Sequence, residues 1–261
     1  MRTLTGTKLM LRFHVTILAL CASLTAVANG QEDQAISNLR LAGQKLAEGD
    51  LEQAATLAKK TVEQAGDHAG ILQRAAEILY RSGNAQDSLP VFDRVCKLDP
   101  ESAPYNWQRG LALCSCGRWE QGAEQFKTHH DVNPDDVENS AWYFLCIAKT
   151  KGLDAARQTV IPSRGDGREP MMSILKMLRG EIEPPAVLVA ADKNTSGGTE
   201  RKRARMYAGL YVGLYYDCLG NAALARKYLA ASQTHDYDSY MTDAARVYLE
   251  DRFPEPDKAK N

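Results

Sequence analysis

The chain has 261 residues, of which 25 % are charged and 44 % are hydrophobic, and both fractions are ordinary for a globular protein. Its formal net charge is −1, and the sequence contains no dense stripe of lysine and arginine. A mildly acidic chain of this kind lacks the basic surface that nucleic-acid binding requires, so we exclude that class of function.

The first 30 residues have the pattern of a secretory signal peptide. Three basic side chains within residues 1–12 precede an uncharged, mostly apolar run over residues 13–28, which ends in a small-x-small sequence. The run is shorter than the roughly 20 residues that span a bilayer. We therefore predict cleavage after Ala28 or Gly30, and no membrane insertion of the mature chain, whose net charge is −4.

Lipidation is not expected, because Leu20 stands where a lipobox before Cys21 requires a small residue. The mature protein is predicted to be exported, to the periplasm or the cell envelope, with secretion as an alternative.

Glycines that break helices recur at a spacing of 34 residues, at Gly49, Gly83 and Gly117. Other positions follow the same step. Seven residues before each glycine the chain has the small residues Ala42, Ala76 and Gly110. Nine residues after each glycine it has Ala58, Phe92 and Phe126, and seventeen residues after it Gly66, Pro100 and Pro134. A fixed period of this length predicts a repeated helical hairpin over residues 31–136.

This spacing resembles the tetratricopeptide repeat, which has small residues at positions 8 and 20, a glycine near 15, an aromatic at 24 and a proline at 32. The third copy matches the pattern best, and the first is degenerate, with Ala58 in place of the aromatic. The resemblance implies an all-α fold, a helical-hairpin solenoid wound into an alpha-alpha superhelix. In such a repeat the small residues let two helices approach closely, and the aromatic fills the space between repeats.

The second half of the chain is less regular. Residues 137–200 are predicted to form a degenerate repeat around Gly152, followed by an irregular insert with short helices. Residues 201–251 return to the repeat pattern through Gly213 and Gly220, and end in a helix that is predicted to cap the solenoid. Residues 252–261 are expected to be a disordered tail.

Two stretches of this half, Ala141–Leu145 and Tyr211–Ala230, resemble a narrower family, the bacterial envelope adaptors called new lipoprotein I. The resemblance implies an adaptor that scaffolds a tail-specific protease and cell-wall hydrolases, and that dimerises. The missing lipobox is a departure from that family.

The sequence contains no recognised catalytic motif, and we expect no cofactor and no metal. His129 and His130 are adjacent, so they point about 100° apart on a helix, and we expect them at a solvated helix end. Ser163, Asp166 and Glu169 lie in the irregular segment 160–200, where the less favoured alternative of an enzyme would place its site. The mature chain has five cysteines. We expect most of them to be small core residues, and the alternative is that two of them form one disulfide.

In a tetratricopeptide array the first helices of successive repeats line a concave groove, and repeat positions 2, 5, 9, 12 and 13 face it. Mapped onto this chain, these positions predict a protein-binding groove formed by Gln73, Glu77, Tyr80, Arg81, Trp107, Leu111, Tyr207, Leu210 and Asp217. For Trp107 packing between repeats is an equal alternative, and for Leu111 it is favoured. A groove of mixed aromatic and polar side chains suits an extended peptide or a helix of another protein.

The leading hypothesis is therefore an exported scaffold or adaptor that binds other proteins, with an envelope protease or a peptidoglycan hydrolase as the expected partner. The alternatives are a structural homo-oligomer of the envelope, for which a homodimer would suffice, and an enzyme.

Overall fold

The structure is a computed structural model that describes residues 30–254. The predicted signal peptide, but for its last residue, and all but the first three residues of the predicted tail lie outside the described residues. Throughout residues 30–254 the regular secondary structure is helical, without a strand. The helices are α1 (residues 30–47), α2 (Leu51–Gln64), α3 (Ala69–Arg81), α4 (Ala85–Leu98), α5 (Trp107–Ser115), α6 (Trp119–Val132), α7 (Val137–Lys151), α8 (Leu153–Gln158), α9 (Met171–Leu178), α10 (Pro184–Lys193), α11 (Gly198–Cys218), α12 (Ala222–Ser232) and α13 (Tyr240–Arg252).

Helices α2 to α8 pack each on the next in chain order, and a hydrogen bond between the side chains of Asn38 and Gln64 joins α1 to α2, which confirms the predicted solenoid. The turn within a hairpin falls on the periodic glycines, and Gly83 and Gly117 have φ angles of +83° and +71°. A residue with a Cβ rarely adopts this left-handed conformation, so glycine sets where each hairpin turns. The fourth hairpin is incomplete, because its second helix, α8, has only six residues.

Close approach of the two helices depends on the small residues at repeat position 8. A Cβ built on Gly110 would lie 2.6 Å from Cζ of Phe126, the aromatic at position 24 of the same repeat. The last repeat, α11 and α12, has the same arrangement, since a Cβ on Gly213 would lie 2.8 Å from Cγ of Leu229. Two distant repeats therefore use one packing solution, as the sequence predicts.

The irregular insert consists of the loop 160–170 and the short helices α9 and α10. Helix α9 packs against α7, α10 and α11, and it buries Ile174, Leu175 and Leu178. Helix α10 begins at Pro184, where a missing backbone N–H costs no hydrogen bond. The insert thus separates α8 from the last hairpin in the chain, and α9 adds an apolar layer against both α7 and α11.

Helix α13 differs from the predicted terminal cap. It packs on α12, as a cap would, but it also contacts α3, α5 and α11, which are first helices of three different repeats. It therefore crosses the inner face of the solenoid and lies against hairpins from both halves of the chain. Within the described part of the chain, no helix has the length and apolar character needed to cross a membrane.

Candidate functional site

The inner face of the solenoid holds α13 through aromatic contacts at one end. The ring of Tyr240 stacks on Tyr80, with centroids 6.0 Å apart and planes at 12°, and meets the edge of Trp107 at 4.9 Å. The guanidinium of Arg81 lies 5.4 Å from the centre of the Tyr240 ring, within the range of a cation–π contact. The first turn of α13 is thereby fixed between α3 and α5.

Polar contacts fix the rest of the helix. Nε of Arg81 donates to Oδ2 of Asp243 at 2.6 Å, and a guanidinium nitrogen of Arg246 donates to the carbonyl oxygen of Arg81. Near the other end of α13, the hydroxyl of Tyr248 donates to Oδ2 of Asp217 at 2.6 Å, and Nζ of Lys149 lies 2.7 Å from Oδ1 of the same carboxylate. The inner face therefore already binds one helix, which belongs to the chain itself.

This arrangement corrects part of the predicted groove. Tyr80, Leu111 and Leu210 are at most 1 % exposed, and Tyr207 and Asp217 are 7 % and 8 % exposed. The expectation that Tyr80, Leu210, Tyr207 and Asp217 are accessible is therefore wrong, whereas the burial of Leu111 agrees with the packing role favoured for it. Tyr80 and Asp217 contact α13, and Leu111 and Tyr207 form the wall of a cavity. The repeat period predicts which positions face inward, but it carries no information about the helix that covers them.

The other four predicted groove residues, Gln73, Glu77, Arg81 and Trp107, are half-buried. Gln73 and Glu77 form a hydrogen-bonded group with Asn106 and Gln108, in which Nε2 of Gln73 and Nε2 of Gln108 both donate to Oε1 of Glu77, at 2.8 and 3.2 Å. These four side chains line a polar depression between α3 and α5. Trp107, next to Gln108 in the chain, faces a second opening on the same surface.

That second opening is a cavity of about 370 Å³ between α5, α6, α7, α11 and the first turn of α13. Its aromatic walls are Trp107, Phe126, Trp142, Tyr207 and Tyr240. Its polar lining residues are His129, Asn133, Asp136, Glu138, Asn139, Arg168 and Ser239. The cavity thus combines apolar walls with several convergent polar groups, as small binding sites do.

A charged cluster forms one side of this cavity. Arg168 pairs with Asp136 at 2.7 Å, with Asp166 at 2.6 Å and with Glu138. Glu138 also accepts a hydrogen bond of 2.7 Å from the hydroxyl of Tyr211. Burial raises the pKa of Glu138 above its ordinary value, against the opposing effect of the Arg168 charge. Loop 160–170 supplies Asp166 and Arg168, so the irregular insert completes the wall of the cavity.

Two further lining residues have polar atoms without a partner among residues 30–254. Both amide atoms of Asn139, which is 2 % exposed, lack a hydrogen bond, and so does Nε1 of Trp142, which is 1 % exposed. Buried polar groups are rarely left unpaired, and an orphaned group is often a place where a ligand or water binds. No sequence pattern singled out Asn139 or Arg168, because their roles depend on neighbours distant in the chain.

The expectation for His129 is wrong. Its side chain is buried rather than solvated, and Nδ1 donates a hydrogen bond of 2.9 Å to the carbonyl oxygen of Pro104, so the ring joins α6 to the segment before α5 and lines the cavity. Over the described residues, no group of three histidine, cysteine, aspartate or glutamate side chains is arranged to hold a metal ion.

The segment proposed for an alternative enzyme site has structural contacts. The hydroxyl of Ser163 donates to the carbonyl oxygen of Asp135 at 2.8 Å, and Asp166 is engaged by Arg168. Glu169 accepts a hydrogen bond of 3.4 Å from the side chain of Asn194. The three predicted residues are therefore not assembled as a nucleophile with its base.

Two of the five cysteines among residues 30–254 are in contact. Cys114 of α5 and Cys146 of α7 are both fully buried, and their sulfur atoms lie 3.3 Å apart. The other three, Cys96, Cys116 and Cys218, are half-buried, and all five are free thiols.

Comparison with known proteins supports the repeat assignment. Residues 45–108 match the tetratricopeptide repeat family. The tetratricopeptide repeat-containing thioredoxin TTL4 of Arabidopsis thaliana is 33 % identical over 54 residues, which are 21 % of this chain and 8 % of that protein. The chain therefore spans a small fraction of this curated relative, and the likeness concerns the repeat alone.

Among solved structures, the protein MamA of Desulfovibrio magneticus RS-1, from residue 41 to its end, aligns with a TM-score of 0.46 and 14 % identity, over 78 % of this chain and 96 % of that one. The ArsTM double mutant of MamA gives the same TM-score and identity and is covered over 95 % of its length. These matches indicate no catalytic family, and the narrower resemblance to new lipoprotein I is not confirmed by them. The protein is therefore an all-α solenoid of helical hairpins, in which residues 45–108 match the tetratricopeptide repeat.

Proposed function

We propose that this protein is an exported scaffold that binds an extended segment of a partner protein along the uncovered part of its inner face. The observation that carries the proposal is the pair of openings that α13 leaves free, the polar depression and the aromatic cavity. The adjacent residues Trp107 and Gln108 line one opening each, so a single peptide can enter both.

The chemistry of the two openings supports a peptide ligand. The half-buried side chains of Gln73, Glu77 and Gln108 bring amide and carboxylate groups into the depression, and groups of these kinds match the hydrogen-bonding groups of a peptide backbone. The cavity beside them offers apolar walls for one anchoring side chain, and such anchors contribute much of the affinity at protein interfaces. The helix α13 demonstrates that the inner face is complementary to protein surface.

The setting and the partner class follow from the N-terminal pattern and from the resemblance to envelope adaptors. A chain that carries a signal peptide is released into the periplasm or the envelope. The partner that we favour there is an envelope protease or a peptidoglycan hydrolase.

A site-specific crosslinking experiment tests the proposal. Purified residues 31–261 carrying a photoreactive amino acid at Gln108 are irradiated with a native envelope fraction, and the crosslinked protein is identified by mass spectrometry. The matched control carries the same group at Lys127, an exposed residue of α6. We expect one dominant adduct with a protease or cell-wall enzyme at position 108 and none at position 127.

Binding is then measured with the purified partner and the variant Glu77→Ala/Gln108→Ala. Loss of affinity of about ten-fold corresponds to 1.4 kcal/mol, and Lys127→Ala should leave the affinity unchanged. Equal crosslinking at both positions would overturn the inner-face assignment. An adduct with a second copy of the chain, together with a dimer mass in light scattering, would support the homo-oligomer instead.

A further inference from the structure

The aromatic walls of the central cavity are suited to a cation. The rings of Trp107, Trp142, Tyr207 and Tyr240 surround it, and the negative face of such a ring attracts an ammonium or guanidinium group within about 6 Å of its centre. Two of these rings already contact a cation: Arg81 lies 5.4 Å from the centre of Tyr240, and Arg168, which itself lines the cavity, lies 5.7 Å from that of Tyr207.

The charges around the cavity have the complementary sign. Asp136, Glu138 and Asp166 share a single guanidinium, that of Arg168, so the cluster has a formal surplus of negative charge. The N-terminus of α7 offsets part of this surplus, because backbone N–H groups there donate to Asp136 and Asp166.

The unpaired polar atoms indicate what carries the cation. Oδ1 of Asn139 can accept a hydrogen bond from an ammonium or guanidinium group. Nδ2 of Asn139 and Nε1 of Trp142 are donors, and they need an acceptor such as a peptide carbonyl oxygen. A basic residue within a peptide supplies both. The volume of about 370 Å³ lies near the lower end of ligand sites, and it suits one long side chain with its own backbone.

We propose that this cavity binds the side chain of a lysine or arginine from the partner protein. The aliphatic part of that side chain lies between the aromatic walls, and its charged end faces Asp136 and Glu138. The inference rests on the proposed function, of which it specifies the partner: a segment of the bound protein with a basic residue that enters the solenoid next to Trp107.

Blocked single amino acids test the chemistry without knowledge of the partner. The probes are the N-acetyl methylamides of arginine, lysine and norleucine, the last being an uncharged analogue of similar shape. The readout is the indole N–H signals in a ¹H–¹⁵N spectrum of residues 31–261. The chain has three tryptophans, and Trp119, which packs against Arg252 outside the cavity, is an internal control. Variants Trp107→Phe and Trp142→Phe assign the signals.

We expect the arginine or lysine probe, at millimolar concentration, to shift the signals of Trp107 and Trp142 and to leave Trp119 unchanged. The norleucine probe should need at least a ten-fold higher concentration for the same shift. Equal affinity for norleucine would overturn the proposal, because the cavity would then bind any long side chain. Absence of a shift with every probe up to tens of millimolar would overturn it as well.

A pair of neighbouring aspartates provides a matched charge test. Asp136→Asn removes one charge from the cavity wall, yet asparagine still caps α7, since both residues are good N-caps. Asp135→Asn removes the same charge from an exposed pair with Arg164, outside the cavity. We expect Asp136→Asn to weaken binding of the cationic probe three- to ten-fold, and Asp135→Asn to have no effect. Equal effects of the two variants would contradict a local role for the cavity charge.

The two proposals fail in different ways. If the cationic probes do not bind but crosslinking at Gln108 still captures the partner and the control does not, the scaffold function stands and the basic anchor is wrong. If the probes bind as expected and no partner is captured at Gln108, the cavity chemistry stands and the proposed binding of an envelope partner along Gln108 is wrong.

Discussion

Substitution of Gly110 by alanine tests whether close packing within a repeat depends on the absence of a side chain. The new Cβ would lie 2.6 and 2.7 Å from two ring carbons of Phe126. Phe126 is only 1 % exposed and stacks against Trp142, with ring centres 6.4 Å apart, so the ring cannot move aside freely. The clash must therefore separate α5 from α6.

The expected change in the free energy of unfolding is the difference between two opposing effects. Overpacking of a core costs about 1–3 kcal/mol, whereas replacement of a glycine inside a helix by alanine gains about 1 kcal/mol. We expect Gly110→Ala to lower the free energy of unfolding by up to about 2 kcal/mol, which corresponds to a melting temperature lower by up to about 8 °C. The control is Gly43→Ala in α1, where a Cβ meets no atom within 4 Å, so that up to about 1 kcal/mol should be gained.

Urea unfolding followed by circular dichroism at 222 nm measures both variants. The double variant Gly110→Ala/Phe126→Leu should recover part of the loss, because the smaller side chain makes room for the methyl group. If Gly110→Ala were as stabilising as Gly43→Ala, the close approach of α5 and α6 would be wrong. If both variants were destabilising to the same degree, the effect would not come from the contact with Phe126.

Two further predictions concern buried pairs. Tyr248→Phe should lower the free energy of unfolding by about 1–3 kcal/mol, because the buried carboxylate of Asp217 loses a hydrogen-bond donor. The control in the same unfolding experiment is Tyr228→Phe, at a half-buried ring. Equal stability of the two variants would refute the role of the Tyr248 hydroxyl. Refolding with oxidised glutathione should form a disulfide between Cys114 and Cys146, since their sulfur atoms lie 3.3 Å apart. This disulfide should raise the free energy of unfolding by about 3–4 kcal/mol. Peptide mapping that finds other pairs would contradict the prediction.

The sequence predicts the repeats well because their determinants are local. A glycine with positive φ, a small residue at position 8 and a bulky one at position 24 act within a single hairpin, so Gly110 and Phe126 can be recognised from their spacing alone. The same pattern identifies α11 and α12 across the irregular insert, which ends with α10 at Lys193.

The binding surface is predicted less well because it depends on contacts between distant segments. The position of Tyr80 within its repeat places it on the inner face, but nothing near it indicates that Tyr240 covers it. Arg168 lies in a loop whose composition reads as solvent-exposed, and only the fold brings it to Asp136 and Glu138. Covered and open parts of a groove therefore cannot be separated by the repeat period.

The path of α13 changes how the protein should respond to stress. In an open array each repeat touches only its neighbours, and the ends can unfold before the middle. Here Arg81 and Asp243, 162 residues apart in the sequence, are bonded, so opening the second hairpin also breaks contacts of the last helix. Hydrogen exchange in α3 and α13 should consequently be lost together, and contacts of such long range should make folding slower than in an open solenoid of the same length.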